Sequence, residues 1–437
     1  MSKFVKDLAS VMTSKVLVIV LGLVRSIIIA RWLGPANNGI IAAISVYPSL
    51  FMTIGALGIR QSTAFYVGKN IYPEEKVKRS IIHIWLLSTF ISIIICFFLI
   101  HYFSSSGDNL LLVFLAIMPI PFSLFVDYNS GLFLGKNQIQ QFNRVNWLPI
   151  FFVLIATVLL VILAKWGIVG AMASAVMGPL LMALIMLRKN EFYKYFTLSI
   201  DKEIIVKLLS LGVTYAIALL VINLNYRVDV IILDRMSTDY QLGIYSKSVN
   251  IIEMLWQIPM MLSTIVFAGS ANSKNSREFS VKVHLLLRLS IIIIAIGSIV
   301  LLVLSKFVVL LMFGKAFVES ASVLQYLLPG ILLLTIFKVL NMDMAGRGKP
   351  WISMKAMVPA LLLNIVLNII LDPSLGARGS AISTTISYII SALLFLHFYS
   401  KEVQIPILEI LKFSKKDFDI AIEKIKRKKP KEKYESL

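Results

Sequence analysis

Cysteine is nearly absent from this chain. Cys96 is the single one in 437 residues, so no intrachain disulfide can form and cysteine usage carries no information about compartment. Histidine is also sparse. His83, His101, His284 and His397 sit near the ends of apolar runs, and no HExxH or CxxC pattern occurs. A Walker-type phosphate loop is missing as well: Gly346-Arg347-Gly348-Lys349 is a short basic turn without the flanking strand such a loop needs. Charge is the third scarcity. Only 15% of residues are charged, against about 25% in an average soluble domain. A soluble globular chain and a disordered one are both excluded. So is a β-barrel, because the apolar residues come in long runs rather than in alternation.

What fills the chain is apolar: 58% of residues, with a mean hydropathy of +0.85. A helix that crosses a bilayer uses roughly 20 such residues. The runs predict an all-α integral membrane protein with about twelve spans. They lie near 10–31, 38–60, 80–103, 109–134, 143–164, 166–187, 207–234, 241–268, 281–304, 320–345, 351–371 and 378–399. Residues 1–10 have no small-residue cleavage pattern, so the first run is expected to be a retained span. The connections leave no room for an extramembrane domain. No ATPase is expected, and no enzyme whose catalytic carboxylates would need a sizeable outer loop.

The net charge of +20 is mostly topological. Of the 43 Lys and Arg residues, 32 fall on the N-terminus, the even-numbered loops and the tail, six on the opposite loops and five within spans. The positive-inside rule then predicts both termini in the cytoplasm of a multi-pass plasma (inner) membrane protein. It argues against nucleic acid as a partner. The tail, 401–437, carries eleven of the basic residues. Its apolar positions Ile405, Ile407, Leu408, Leu411 and Phe413 suit an amphipathic helix on anionic inner-leaflet lipids. A disordered basic tail is the alternative.

Landmarks recur about 210 residues apart. Pro119 matches Pro329, Pro149 matches Pro359, Gly135-Lys136 matches Gly346-Arg347, and 166–171 match 375–380. Residues 31–40 lie on 235–244, with Gly39 on Gly243. This predicts two pseudo-symmetric six-helix lobes, 1–200 and 201–400, related by an axis along the membrane normal. Eight prolines fall within spans. They fit kinked helices that open and close a cavity, and equally the ordinary use of proline in membrane helices.

Charges within the hydrocarbon are costly and mark cavities or partners. Span 1 carries Lys15 and Arg25; span 4 carries Asp127. Span 7 carries Asn223, Asn225, Arg227 and Asp229; span 8 carries Lys247 and Glu253; span 10 carries Lys338. Lys15, Arg25, Asn223, Asn225, Arg227 and Lys247 are the candidate substrate-binding cations and amides. They suit an anionic cargo rich in hydrogen-bonding groups, such as a phosphate joined to sugars. Asp229, Glu253, Asp127 and Lys338 are candidates for a gate or for ion coupling, with Arg25–Asp229 as one pair across the pseudo-axis. Local ion pairing and snorkelling are the competing roles. No catalytic residue, metal or cofactor is expected; H⁺, Na⁺ or the membrane potential could drive transport.

Several turns resemble a known family. Ala30-Arg31-Trp32-Leu33-Gly34-Pro35 followed by Gly39 is one, and Phe313-Gly314-Lys315-Ala316-Phe317 followed by 320–330 is another. Ala345-Gly346-Arg347-Gly348-Lys349-Pro350 and Gly376-Ala377-Arg378-Gly379-Ser380-Ala381 complete the set. Over about residues 5–400 the chain resembles the O-antigen and capsular polysaccharide flippases of the multidrug/oligosaccharidyl-lipid/polysaccharide exporter superfamily. The resemblance implies a V of two six-helix lobes, as in the multidrug exporters (MATE) of that superfamily, with spans 1, 2, 7 and 8 lining a central cavity. It implies a polyprenyl-diphosphate-linked oligosaccharide as cargo, alternating access and a surface-polysaccharide polymerase as a partner, with the chain itself a monomer. The other functional readings are a cation-coupled multidrug exporter using Asp229 or Glu253, and a major-facilitator transporter. The latter's usual loop after span 2 is missing from Gly58–Lys69.

Overall fold

The computed structural model describes residues 3–413, except 137, 139, 140, 142–144, 198, 274 and 275. Every regular element among them is helical. In chain order they are α1 (Lys3–Gly55), α2 (Ile59–Gly68), α3 (Glu74–Phe103), α4 (Leu110–Ile117), α5 (Pro119–Gly135), α6 (Leu148–Thr157), α7 (Gly167–Lys189), α8 (Lys202–Met236), α9 (Asp239–Asn272), α10 (Ser276–Phe313), α11 (Ser320–Gly346), α12 (Trp351–Leu375), α13 (Ala377–Val403) and α14 (Ile407–Leu411). Among the described residues, nine stretches are long and apolar enough to cross a membrane. The first of them, Val16–Gly68, is bent at Gly34 and at 53 residues is long enough for two crossings. Leu148–Leu163 and the 34-residue α9 occupy the two remaining expected positions. The protein is a multi-pass membrane protein.

The bend in α1 has a local cause. Gly34 takes φ 73°, a left-handed conformation that a side chain would strain. Pro35 follows and has no N–H to donate. Side-chain amides brace the bend: Asn38 Nδ2 donates to Gly34 O at 2.7 Å and Ile29 O at 3.3 Å, and Asn37 Nδ2 to Leu33 O at 2.8 Å. Not every proline bends a helix. Pro119, Pro121 and Pro149 stand in the first turns of α5 and α6, where the missing N–H costs nothing. After Thr157 the fifth crossing loosens into a π turn, Val158–Leu163.

Packing inverts the soluble pattern. On α3, Leu87, Phe90, Ile94 and Phe98 are exposed at helical spacing, and on α10 so are Ile296, Ile299, Val303 and Phe307. These two belts occupy corresponding places in the proposed repeat and face lipid. Inside, the larger core cluster runs from Ala43, Tyr47 and Ile100 through Tyr245 and Leu287 to Phe337, Phe395 and Tyr399. A second cluster, with Ile81, Phe125, Tyr128 and Phe192, holds the first half together near the terminal end.

At the end remote from the termini, α1 and α9 meet backbone to backbone. A Cβ on Gly39 would stand 1.9 Å from the Asp239 carbonyl oxygen, and one on Gly243 would stand 1.9 Å from that of Pro35. In the alignment of 31–40 with 235–244, these two contacts exchange with one another. Two arginines behave alike. Arg31 donates to Leu311 O at 2.5 Å and Met312 O at 3.0 Å, at the end of α10. Arg235 donates to Tyr102 O and, at 2.7 Å, to Phe103 O, at the end of α3. Each thus covers carbonyls that the last turn of a helix leaves without partners, and adds a cation where the helix dipole is negative.

The start of the tail departs from the lipid-facing reading. Ile405 and Ile410 are buried in the core, and Arg288 Nη1 donates to Ile410 O at 3.2 Å. Leu408 points outward, 84% exposed. Residues 414–437, which carry most of the basic charge, lie outside the described residues.

Candidate functional site

The bend at Gly34 turns the chain back on itself, so both crossings of α1 face α8 and α9. Between them lies a cavity of about 400 Å³. Its walls carry three cations, Arg25, Arg227 and Lys247, with Ser26, Ser45, Ser49, Ser246, Asn38 and Asn250 between them and no carboxylate. The Gly39 and Gly243 contacts close it at the remote end. Toward the termini it continues into a space of about 330 Å³ between α1, Asn146 and α9, through the shared Gly22, Ser26 and Asn250. Sideways it reaches a third space of about 420 Å³ in the first half, through Arg25.

Each cation is held differently. Arg25 Nε donates to Thr157 Oγ1 at 3.2 Å and Nη2 to Ala171 O at 3.0 Å. Thr157 and Ser174 are themselves 3.0 Å apart, and Ser174 also donates to Ala171 O. A bracket of neutral oxygens from α6 and α7 therefore fixes the guanidinium at the cavity wall without neutralising it. Lys247 Nζ donates to Ser26 Oγ at 3.2 Å, bridging α9 to α1. Arg227 forms an ion pair with Glu253 at 3.1 Å, both side chains about one-third exposed at 36% and 33%.

The remaining expected residues separate into two groups. Asn223 donates to Leu219 O at 2.8 Å on its own helix and does not line the cavity. Asn225 is fully buried and donates to Ser387 Oγ at 3.0 Å. Asp229 is buried too, accepting from the Tyr245 hydroxyl, from Thr384 Oγ1 at 3.0 Å and from Val230 N at 2.9 Å. The broad polar face expected on span 7 is thus divided. Arg227 looks into the cavity, while Asn225 and Asp229 look into the second half. Arg25 and Asp229 do not meet, because each is engaged by its own half. Asp127 lies 4.0 Å from Arg60 in the third space. Lys338 Nζ stands 3.7 Å over the Trp256 ring and 4.5 Å over that of Tyr226. The side chain of Lys15 lies outside the described residues.

The amides beside the cations are therefore Asn38, Asn146 and Asn250 rather than Asn223 and Asn225. A second buried polar group lies on α12. Asn364, Asn368 and Asp372 follow one another at four-residue spacing along α12, and all are buried. Asn364 reaches Asn225 O at 3.3 Å, Asn368 reaches Asn364 O at 2.7 Å, and Asp372 accepts from Ser380 at 2.9 Å. Among the described residues, Asn368 Oδ1 and Asp372 Oδ2 have no hydrogen-bond donor. Their spacing, one helical face in an otherwise apolar run, was the signal available.

The fold is shared with a structure described as the lipid II flippase MurJ in an inward closed conformation, at a TM-score of 0.74 and 17% identity over 96% of this chain and 92% of that one. It is shared with an inward-facing multidrug resistance MATE family transporter of the MOP superfamily, at 0.69 and 13%, over 87% and 94% of the two chains. A MOP superfamily transporter from Pyrococcus furiosus, described as having a binding pocket of reverse polarity, matches at 0.69 and 14%, over 93% and 97%. These proteins are flippases and transporters, not enzymes. No curated protein matches the chain. The family model for polysaccharide biosynthesis proteins matches residues 4–268, and the chain belongs to that family.

Proposed function

We propose that this protein flips a polyprenyl-diphosphate-linked oligosaccharide from the cytoplasmic to the outer leaflet of the plasma (inner) membrane, for surface polysaccharide assembly. The observation that carries this reading is the convergence of Arg25, Arg227 and Lys247 on one cavity whose other polar walls are hydroxyls and amides. A diphosphate takes the cations, and charge-assisted hydrogen bonds make that attraction strong in a low-dielectric site. Sugar hydroxyls take the serines and asparagines. The polyprenyl chain stays in the bilayer. A drug cation would meet like charge in the same place.

Both termini face the cytoplasm on this reading, so the Gly39 and Gly243 contacts seal the outer face and the cavity is entered from inside. Transport requires that seal to open while the inner end closes. The buried carboxylates Asp229 and Asp372 are the groups through which H⁺ or Na⁺ would couple, remote from the diphosphate. Arg25→Gln tests the assignment in cells. The lipid-linked precursor should accumulate and surface polymer should fall. Normal polymer in that variant would remove Arg25 from the mechanism.

A further inference from the structure

Among the described residues, the three cations of the central cavity differ in one respect. Arg25 and Lys247 are held by neutral oxygens, at Thr157, Ala171 and Ser26. Arg227 is held by a carboxylate, that of Glu253. A phosphate entering the cavity can add to the first two without displacing a charge. At Arg227 it must compete.

Glu253 is placed between two environments. It lines the space that opens toward the termini, with Gly22, Ser26, Asn146 and Asn250. It also lines a nearly closed chamber with Tyr226, Asp229, Tyr245, Trp256 and Tyr388. Lys338 rests on two walls of that chamber, the rings of Trp256 and Tyr226. Glu253 therefore shares a chamber with the two rings on which the Lys338 ammonium lies. Rings in contact with the ammonium hold it in place through the attraction of a cation for an aromatic face.

The physics of an empty carrier explains why a carboxylate is there. After delivery the protein must return with no anion in the cavity. A guanidinium at membrane depth is costly unless oxygens bracket it, as Thr157 and Ala171 bracket Arg25, or a carboxylate pairs with it, as Glu253 pairs with Arg227. A permanently buried pair would keep Arg227 from the cargo. The pair here is one-third exposed, which makes it breakable.

We infer that Glu253 is a built-in surrogate for the cargo's phosphate, holding Arg227 while the cavity is empty and passing to Lys338 when the diphosphate arrives. This rests on the diphosphate reading above and assigns exchange, rather than simple addition, to one of its three cations.

The test uses the purified full-length protein, with inorganic pyrophosphate as probe. Glu253→Gln keeps the shape of the side chain and removes the competitor, so pyrophosphate should bind about three- to tenfold more tightly than to the parent. Arg227→Gln should bind it more weakly. The double variant should show no gain from the loss of Glu253, since the gain requires Arg227. In reconstituted vesicles, Glu253→Gln should turn over more slowly despite tighter binding, because the empty return carries a bare cation. Lys338→Met should weaken pyrophosphate binding by leaving displaced Glu253 without a partner. If Arg227→Gln weakens binding while Glu253→Gln leaves it unchanged or weaker, the surrogate role is overturned and the diphosphate reading stands. Should Arg227→Gln, Arg25→Gln and Lys247→Gln all bind pyrophosphate as the parent does, the diphosphate reading itself fails and this inference with it.

Discussion

Gly39→Ala should open the remote end of the molecule. The added methyl would stand 1.9 Å from the Asp239 carbonyl oxygen and 3.0 Å from the Gly243 nitrogen. Ordinary carbon–oxygen contacts lie well beyond 3 Å, so α1 and α9 must separate by about 1 Å or more. Both obstructing atoms are backbone, and no side chain can rotate out of the way. Overpacking of this kind costs about 1–3 kcal/mol. The cost falls on the closed arrangement alone, because the contact is absent once the helices part. A bias of that size changes a two-state ratio about 5- to 150-fold. The assay is thiol accessibility. Cys96 is buried and is replaced by Ala; Ser246→Cys then reports on the cavity. An impermeant maleimide applied from the side opposite the termini should label Ser246→Cys faster in Gly39→Ala, by at least about fivefold. Gly243→Ala, the pseudo-symmetric change, should act in the same direction. Equal labelling rates in Gly39→Ala and its parent, with both folded by thermal unfolding, would refute the idea that this contact is the seal.

Arg31→Gln and Arg235→Gln should also raise labelling of Ser246→Cys, less than Gly39→Ala does, because each removes exposed charge-assisted bonds to helix-end carbonyls rather than adding a clash. Combining them should approach the sum of the single effects, as they cover different helices. Asp343→Ala should be severe. That carboxylate is fully buried and accepts from Ser270 and Ser280 at 2.6 Å, from Tyr399 at 2.7 Å and from Arg347 at 3.1 Å. Its removal takes the acceptor from three hydroxyls and the ion-pair partner from the partly buried Arg347, a loss of about 3–5 kcal/mol seen as a lower unfolding temperature in detergent. Asp127→Asn breaks a 4.0 Å, partly exposed pair with Arg60 and should change stability by less than about 1 kcal/mol in the same measurement.

Much of this was legible before any coordinates. Hydropathy alone orders the spans, with 10–31 and 38–60 as the first two, and charge within apolar runs singles out Arg25, Arg227 and Lys247, which the structure places on one cavity. Those signals are strong because a bilayer penalises any alternative. Facing was harder to read. Asn223, Asn225, Arg227 and Asp229 fall within two helical turns, and a few tens of degrees of rotation decide which of them meets the cavity. That rotation is set by packing against α12 and α13, through pairs such as Asn225 with Ser387, which lie 162 residues apart. Polar residues without charge carry a weaker sequence signal for a related reason. Asn38 and Asn250 look unremarkable in sequence, yet they line the cavity because the bend at Gly34 brings them there. The Arg25–Asp229 pair was drawn from pseudo-symmetry alone, which relates positions but does not place them in contact.

The central claim is that the cavity recognises a diphosphate, and binding to the purified protein tests it most directly. A polyprenyl-diphosphate oligosaccharide should bind at least about tenfold more tightly than the same lipid without its diphosphate. That preference should fall sharply in Arg25→Gln and Lys247→Gln, each of which removes a strong charge-assisted contact. Equal affinity for the two lipids, or a stronger affinity for cationic drugs that survives both substitutions, would contradict it.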